Sequence, residues 1–404
     1  MNYDSVRRLW TCSLLAACVA VSLPAALVAG QIRLAPPEAS IGARTGASVS
    51  LDGNTLALGS PDDDAAGPFA GAVFVFVRDG ASWRQQARLL GPATTGQRSF
   101  GESVAVNRDT LVVGAPFDEV TGDASGAAYV YVRQGETWVQ QAKLVPADRT
   151  ADQLFGDCVA IHGDTIVVGA FLDSGRAPNA GAAYVFTRSG SAWTQKDKLT
   201  ASDASEHAFF GSAVAIRNGT IVIGSPVSET AYIFKYSNWH WRQQARLAPA
   251  DAVPGDYSGF GAAVTVDQDT IAIGAPAQSG ADLETGAVYL YQWDGSRWAA
   301  RAKVAASDAA AGDEFGTSVS LEGHVLAVGA PYCGASNEGA IYTFQRRTSG
   351  WSLKARHVAQ TTEFSAFLGA SVCLCNGETV AGAPGFVEYA GRKTAGAAYL
   401  DPIW

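Results

Sequence analysis

Phe100-Gly101-Glu102-Ser103-Val104-Ala105-Val106-Asn107-Arg108-Asp109-Thr110-Leu111-Val112-Val113-Gly114-Ala115-Pro116 holds two strands and the turn between them. Ser103 to Val106 alternates in character, the period of a strand with one covered face, whereas Thr110 to Gly114 is a continuous apolar run, as expected of a strand covered on both faces. Only Asn107-Arg108-Asp109 separates them, so the pair reads as a tight hairpin. Farther on, Gly126-Ala127-Ala128-Tyr129-Val130-Tyr131-Val132 sets two aromatics on one face of a third strand, and Trp138 to Leu144 follows after another short turn. The unit is therefore four antiparallel strands.

Seven segments repeat this pattern: a glycine and, thirteen residues later, a second glycine, usually followed by Ala-Pro or Ser-Pro. The first glycines are Gly46, Gly101, Gly156, Gly211, Gly261, Gly316 and Gly369, and their partners are Gly59, Gly114, Gly169, Gly224, Gly274, Gly329 and Gly382. Successive first glycines are 55, 55, 55, 50, 55 and 53 residues apart, and Phe precedes the glycine at Phe100, Phe155, Phe210, Phe260 and Phe315. Such a period is the size of a propeller blade. The aromatic pair recurs at Phe74/Phe76, Tyr184/Phe186, Tyr232/Phe234, Tyr289/Tyr291 and Tyr342/Phe344, and the fourth-strand Trp at Trp83, Trp193, Trp241, Trp298 and Trp351; both fit the space between neighbouring blades. The paired glycines read as packing positions, because inner strands crowd near an axis where a side chain would hold them apart.

The expected fold is all-β: a seven-bladed propeller of four-stranded antiparallel blades spanning residues 31–404. An unclosed stack would leave two bare sheet edges. The seventh copy ends just after its third strand, Ala397-Ala398-Tyr399-Leu400, while Gln31-Ile32-Arg33-Leu34 matches the fourth-strand segment Gln86-Ala87-Arg88-Leu89. The N-terminal strand is thus expected to complete the last blade.

Residues 1–30 carry Arg7 and Arg8, an apolar run from Leu9 to Val28 and small residues at Val28-Ala29-Gly30, the layout of a secretory signal peptide. Leu15-Ala16-Ala17-Cys18 also fits a lipobox, which would place a lipid anchor on Cys18; a single membrane-spanning anchor is a third reading of the same run. The expected location is outside the cytoplasm: secreted, periplasmic or at the cell surface. The segment removes one acidic residue, Asp4, and two basic ones from a chain of 38 acidic and 29 basic residues, so the mature part has net charge −10 rather than −9. That argues against nucleic acid or an anionic membrane surface as partner. Cys158, Cys333, Cys373 and Cys375 remain, too few for a disulfide framework. Cys373 and Cys375 face the same way on a strand and read as buried thiols, with a metal or redox pair as the alternative.

The Phe-Gly and Gly-Ala-Pro pattern resembles the repeats of integrin α-subunit propellers, and more closely exported bacterial proteins built from the same FG-GAP repeat with Asp-Thr before the Gly-Ala-Pro strand. The resemblance covers residues 31–404. It implies calcium loops between first and second strands in several blades and a ligand-binding role. Here the corresponding turns Asn107-Arg108-Asp109, His162-Gly163-Asp164, Asp267-Gln268-Asp269 and Glu322-Gly323-His324 are too short to wrap an ion, so no metal is expected there.

Strand polarity gathers the long loops, those between strands two and three and those between blades, on one face. That face is the candidate ligand surface, and its candidate residues are Asp62, Asp64, Asp118, Asp123, Asp173, Asp282, Glu284 and Glu338. Asp148 with Asp152, Asp251 with Asp256 and Asp308 with Asp313 recur at one place of the repeat; calcium on these loops and ordinary turn-making are both open readings. Solvated acids that keep an exported protein soluble are the bland account of the whole face. The five His sit at different points of their repeats, and neither G-x-S-x-G, H-E-x-x-H nor a phosphate loop occurs. The expectation is a non-enzymatic, monomeric binding or adhesion propeller without a cofactor, directed at a protein partner or surface. A glycan binder using the extra aromatics Trp239 and Trp293 is one alternative, and an enzyme with an axial active site is the other.

Overall fold

In the second repeat the four strands are Ser103–Asn107, Thr110–Ala115, Ala127–Gln134 and Thr137–Leu144. Only Arg108 and Asp109 turn the first hairpin, with Arg108 at φ 55°, the left-handed conformation that a two-residue hairpin demands. The computed structural model describes residues 31–92, 98–119, 125–252, 257–279, 283–359, 365–385 and 395–402. The leader, with Cys18, and the candidate residues Asp123 and Asp282 lie outside the described residues, as does Asp256.

Seven four-stranded antiparallel sheets follow one another along the chain. Among the described residues the only helix is one 3-10 turn, Pro226–Ser228. It replaces the long loop between strands two and three of the fourth blade, where the spacing of the repeat falls to 50 residues. The seventh sheet contains Ser371–Cys375, Glu378–Ala383, Ala397–Pro402 and, on its outer edge, Ile32–Leu34. Ile32 pairs with Leu400, Arg33 with Tyr399 and Leu34 with Ala398, so both ends of the chain build the last blade.

The core lies between the blades. Val73 and Val75 of blade one pack with Phe100, Val104, Leu111, Tyr129, Tyr131 and Trp138 of blade two, and this pattern recurs around the ring. Phe100 meets the edges of Tyr129 and Tyr131 at 5.5 and 6.2 Å between ring centres. Three seams also have a polar clasp on the outer side: Trp138 Nε1 donates to Gln86 of the preceding blade at 3.0 Å, Trp193 to Gln141 at 2.8 Å and Trp298 to Gln244 at 3.2 Å, whereas Trp83 Nε1 at the closing seam is buried without a partner among the described residues. The closing seam is as apolar as the others, with Leu34, Val380 and Leu400 against Val49, Leu56 and Phe74.

The second glycine of each repeat meets the first glycine of the next across the seam. A β-carbon on Gly59 would overlap the carbonyl oxygen of Gly101 in the next blade, and the same holds around the ring until Gly382 meets Gly46. The first glycine is itself left-handed, for example Gly101 at φ 95°. Ser48, Ser103 and Ser318 donate to the first-glycine carbonyl of the following blade at 2.9, 2.9 and 2.7 Å.

Both long-loop sets lie on one face, here called upper. Backbone bridges join the end of the loop between strands two and three to the start of the next blade, as in Gly71 with Phe100, Gly126 with Phe155 and Gly286 with Phe315.

Candidate functional site

The acids of the upper face are mostly engaged by the protein itself. Four residues after the second glycine come Asp63, Asp118, Asp173, Gln278 and Cys333 in blades one, two, three, five and six, all buried. Asp173 accepts from Tyr184 Oη at 2.9 Å, from Lys198 Nζ at 2.8 Å and from the Gly175 amide at 2.9 Å. Asp118 holds the Tyr129 hydroxyl, Lys143 at 2.9 Å and Arg98 at 2.8 Å; Asp63 holds Arg88 at 2.7 Å. Burial, reinforced by the charge and hydrogen bond of the neighbouring aspartate, pushes the Tyr129 and Tyr184 hydroxyls well above the usual phenol value.

A second acid reaches the same strand-four cation from the preceding inter-blade loop. Asp148 binds Lys198 at 2.7 Å, Asp203 binds Arg246 at 2.8 Å, Asp251 binds Lys303 at 2.6 Å and Asp308 binds Arg356 at 3.0 Å. Although partial burial opposes it, the lysine's hydrogen bond and charge hold Asp148 and Asp251 below the ordinary carboxylate range. The first aspartate of each recurring pair, Asp148, Asp251 and Asp308, is thus an ion-pair partner of the next blade, while Asp152 is exposed and in no ion pair among the described residues. Asp313 is buried and accepts from the Ala310 amide at 2.8 Å, a turn-making role.

The remaining candidates are spread around the ring. Asp62 takes Arg44 at 2.6 Å; exposed Asp64 accepts from the Phe69 amide at 2.8 Å; Glu338 accepts from the Ser336 amide at 3.1 Å; Glu284 is partly exposed at φ 54°. These acids do not converge on one point.

What does converge is the position just after the first glycine. Ala47, Glu102, Asp157, Ser212, Ala262, Thr317 and Ala370, one from every blade, line a single cavity of about 420 Å³ at the upper end of the axis. The residue two places before the same glycine adds Arg44, Phe209, Glu314 and Phe367 to its wall, all left-handed at φ 54°, 55°, 53° and 54°. Such backbone is uncommon for residues with a β-carbon and clusters where structure over-determines it. Two edge-to-face pairs stand in the wall, Phe171 with Phe209 at 5.7 Å and Tyr332 with Phe367 at 5.4 Å. Arg44 also reaches Glu102 at 3.1 Å. Glu314 is 9% exposed, and its carboxyl has no hydrogen-bond or ion-pair partner among the described residues. Burial, with Glu284 nearby, raises its pKa to about 8. An axial site is one of the alternatives the sequence leaves open, but none of the funnel's residues is among the candidates, although their signal is present: the flanking Phe-Gly repeats while these positions change type from copy to copy.

The model of the FG-GAP repeat matches residues 29–76, 83–131, 138–186, 193–234, 241–291 and 298–344, more than half of the chain. The chain belongs to the FG-GAP repeat family. From the second match onward, each begins at a fourth-strand Trp and runs through the third strand of the next blade, so the family unit straddles a seam. The seventh FG-GAP blade is seen in the sheet topology, beyond the six matches; it carries Leu368 where Phe is usual. The WD40 repeats of RRP9, a solved structure, resemble it at TM-score 0.56 and 12% identity over 93% of this chain and 98% of that one, a likeness of fold. No curated protein matches it in sequence.

The lower face explains the Asp-Thr that precedes the FG-GAP inner strand. Arg188 binds Asp164 of its own blade at 2.6 Å and Thr110 of the preceding blade at 3.0 Å while lying over Trp193. Arg133 does the same with Asp109, Thr55 and Trp138. All seven turns between first and second strands contain two residues, and among the described residues no group of three or more His, Cys, Asp or Glu is placed to hold a metal. Cys373 and Cys375 accept from the Leu51 and Gly53 amides across the closing seam, each at 3.3 Å. Burial raises both thiols, Cys373 to about 12, and all four described cysteines are unbridged. Trp239, in a lower-face turn, is 86% exposed, whereas Trp293 packs on Trp298 at 5.6 Å. Among the described residues no helix is long and apolar enough to cross a membrane.

Proposed function

We propose that this FG-GAP propeller is an exported, monomeric, non-enzymatic binding protein that presents its upper face, centred on the axial funnel, to a protein partner. The observation that supports this reading is the funnel itself. Seven blades converge there, yet the side chains facing the cavity break the repeat with acids, an arginine and aromatics. Residues that a ring needs only for packing have every reason to stay alike from blade to blade; divergence at one shared opening is what a grafted site produces.

The funnel's composition favours binding over catalysis. Its arginine is tied to Asp62 and Glu102, and no hydrogen bond joins the Glu314 carboxyl to a hydroxyl or imidazole among the described residues, so no nucleophile and base pair is assembled there. Asp63, Asp118, Asp173 and Asp251 on the upper face already carry internal cations, which supports function without calcium or another cofactor.

Peptide and glycan arrays probed in parallel with the mature protein, Ala262→Trp and Trp239→Ala test the reading. Ala262→Trp fills the funnel and is expected to abolish a peptide or protein signal that Trp239→Ala leaves intact. A glycan signal lost only in Trp239→Ala would instead support the second reading, a saccharide stacked on the lower-face tryptophan, whose 86% exposure is its one specific support.

A further inference from the structure

We propose that the axial funnel is a socket for one aromatic side chain that carries a hydrogen-bond donor, the indole of a tryptophan or the phenol of a tyrosine, offered by the protein partner. This names the ligand chemistry of the site proposed above and rests on that reading.

The walls are set where the repeat breaks. Phe171 stands where the other six copies have the proline of Gly-Ala-Pro or Gly-Ser-Pro. It packs edge-to-face on Phe209 at 5.7 Å between ring centres, and the two join Leu154 in an apolar cluster separate from the seam cores. Tyr332 with Phe367, at 5.4 Å, makes a second pair. The inner strands follow chain order around the ring, so the first pair, at the seam of blades three and four, lies across the axis from the second, at the seam of blades six and seven. Ala47, Ala262 and Ala370 leave the space between them unfilled, and the resulting cavity of about 420 Å³ falls within the roughly 300–1,000 Å³ of sites for small organic groups. A third ring entering there can set its face or its edge against both pairs.

Charge selects a neutral ligand. Among the described lining residues, Arg44 is shared between Asp62 and Glu102, and Asp157 is engaged within the protein. Glu314 holds its proton at neutral pH, because burial, with Glu284 nearby, raises its pKa to about 8. An ammonium, guanidinium or carboxylate entering the funnel would lose its water without gaining a free counter-charge, whereas a neutral ring loses little.

The small polar residues of the wall select a donor on that ring. Ser212 and Thr317, which follow the first glycines of blades four and six, donate their hydroxyls to the carbonyl oxygens of Phe209 at 2.7 Å and Glu314 at 2.8 Å. With its proton placed there, each hydroxyl oxygen keeps lone pairs with which to accept. An indole N–H or a phenol O–H is the donor that an aromatic side chain can bring to them. Tryptophan and tyrosine are also among the side chains that most often anchor a protein partner in a desolvated pocket.

The test is calorimetric titration of the mature chain at neutral pH. The probes are the Nα-acetyl amides of tyrosine, phenylalanine, cyclohexylalanine and lysine, free indole, and a short peptide with one tryptophan. The tyrosine probe is expected to bind about fivefold more tightly than phenylalanine, which lacks the donor. Phenylalanine is expected to bind about fivefold more tightly than cyclohexylalanine, which has the bulk without the ring electrons, and lysine at least about tenfold more weakly than tyrosine. Phe209→Leu is expected to lose about fivefold for tyrosine; leucine already stands at the equivalent place in the preceding repeat, Leu154, with the same left-handed backbone. Val139→Ala, on the outer strand of blade two, is expected to keep wild-type affinity. The peptide is expected to bind more tightly than indole, and indole binding as tightly overturns the assignment to a protein partner. Cyclohexylalanine equal to phenylalanine, phenylalanine equal to tyrosine, lysine equal to tyrosine, or no binding by any aromatic probe overturns the proposal; these wild-type rankings decide even if Phe209→Leu fails to fold. Failure of all aromatic probes while Ala262→Trp still abolishes array binding overturns the ligand class alone. Array binding that survives Ala262→Trp removes the upper-face reading itself.

Discussion

The hydroxyl of Ser371 in the last blade donates to the carbonyl oxygen of Gly46 in the first at 2.9 Å, across 325 residues of chain. It is the same bond that Ser48, Ser103 and Ser318 make between consecutive blades, so the inner edge of the ring closes as if the chain were continuous there. The outer edge is closed differently, by Ile32–Leu34 beside Ala397–Pro402.

Deleting residues 31–34 from the mature chain should therefore leave the inner ring bonded while baring the edge of one strand. The expected result is a thermal midpoint lower by several degrees and faster amide exchange confined at first to residues 397–402, with concentration-dependent association through the open edge. Scanning calorimetry and hydrogen exchange read both effects.

Gly59→Ala should be far more harmful than Gly53→Ala. A β-carbon at Gly59 meets the Gly101 backbone, which cannot move without displacing the next blade, whereas Gly53, left-handed at φ 58°, has open space around it. Urea unfolding should show about 1 kcal/mol lost at Gly53, the cost of a left-handed alanine, and about 3 kcal/mol or more at Gly59, the range of severe core overpacking.

How much of this was legible in the sequence follows from what repetition can and cannot reveal. The paired glycines, the strand pattern and the match of Gln31 to Leu34 with Gln86 to Leu89 are properties of the repeat, and they carry the ring, its blade number and its closure. In sequence Asp118 and Asp173 read as solvent-facing loop acids, because a loop position predicts exposure. Their burial depends on Tyr129 with Lys143, and on Tyr184 with Lys198, which lie two strands away in space. The regular spacing of those tyrosines and lysines was visible; that they point at one carboxylate was not. The funnel escaped for the opposite reason, since Glu102, Phe209 and Glu314 come together only when blades are arranged about an axis.

Asp118→Ala should destabilise by about 3 kcal/mol, the cost of breaking a buried ion pair and orphaning its partners. Asp64→Ala removes only an exposed turn contact and should lie within about 0.5 kcal/mol of wild type. Equal effects of the two changes in urea unfolding would contradict the distinction drawn between structural and exposed acids of the upper face.

Glu314 gives stability a pH dependence of definite sign. Its folded pKa of about 8 lies above the ordinary glutamate value of about 4.3, so the folded state holds the proton more tightly. As pH rises from about 4.3 toward 8 the unfolded chain ionises first, and stability falls through that window, by up to about 1.4 kcal/mol per unit. Above it the loss is constant. Glu314→Gln should match wild type near pH 4 and be the more stable protein at pH 9, as compared by thermal melts across that range.

We propose that this FG-GAP ring holds together without calcium: its turns between first and second strands have two residues each, and lysines pair with Asp118, Asp173 and Asp251 on the upper face. Thermal unfolding of the mature protein in excess chelator and in millimolar calcium tests it most directly. The account predicts the same midpoint in both, within about a degree, since a ligand that does not bind the folded state cannot shift it. A midpoint several degrees higher in calcium would contradict it.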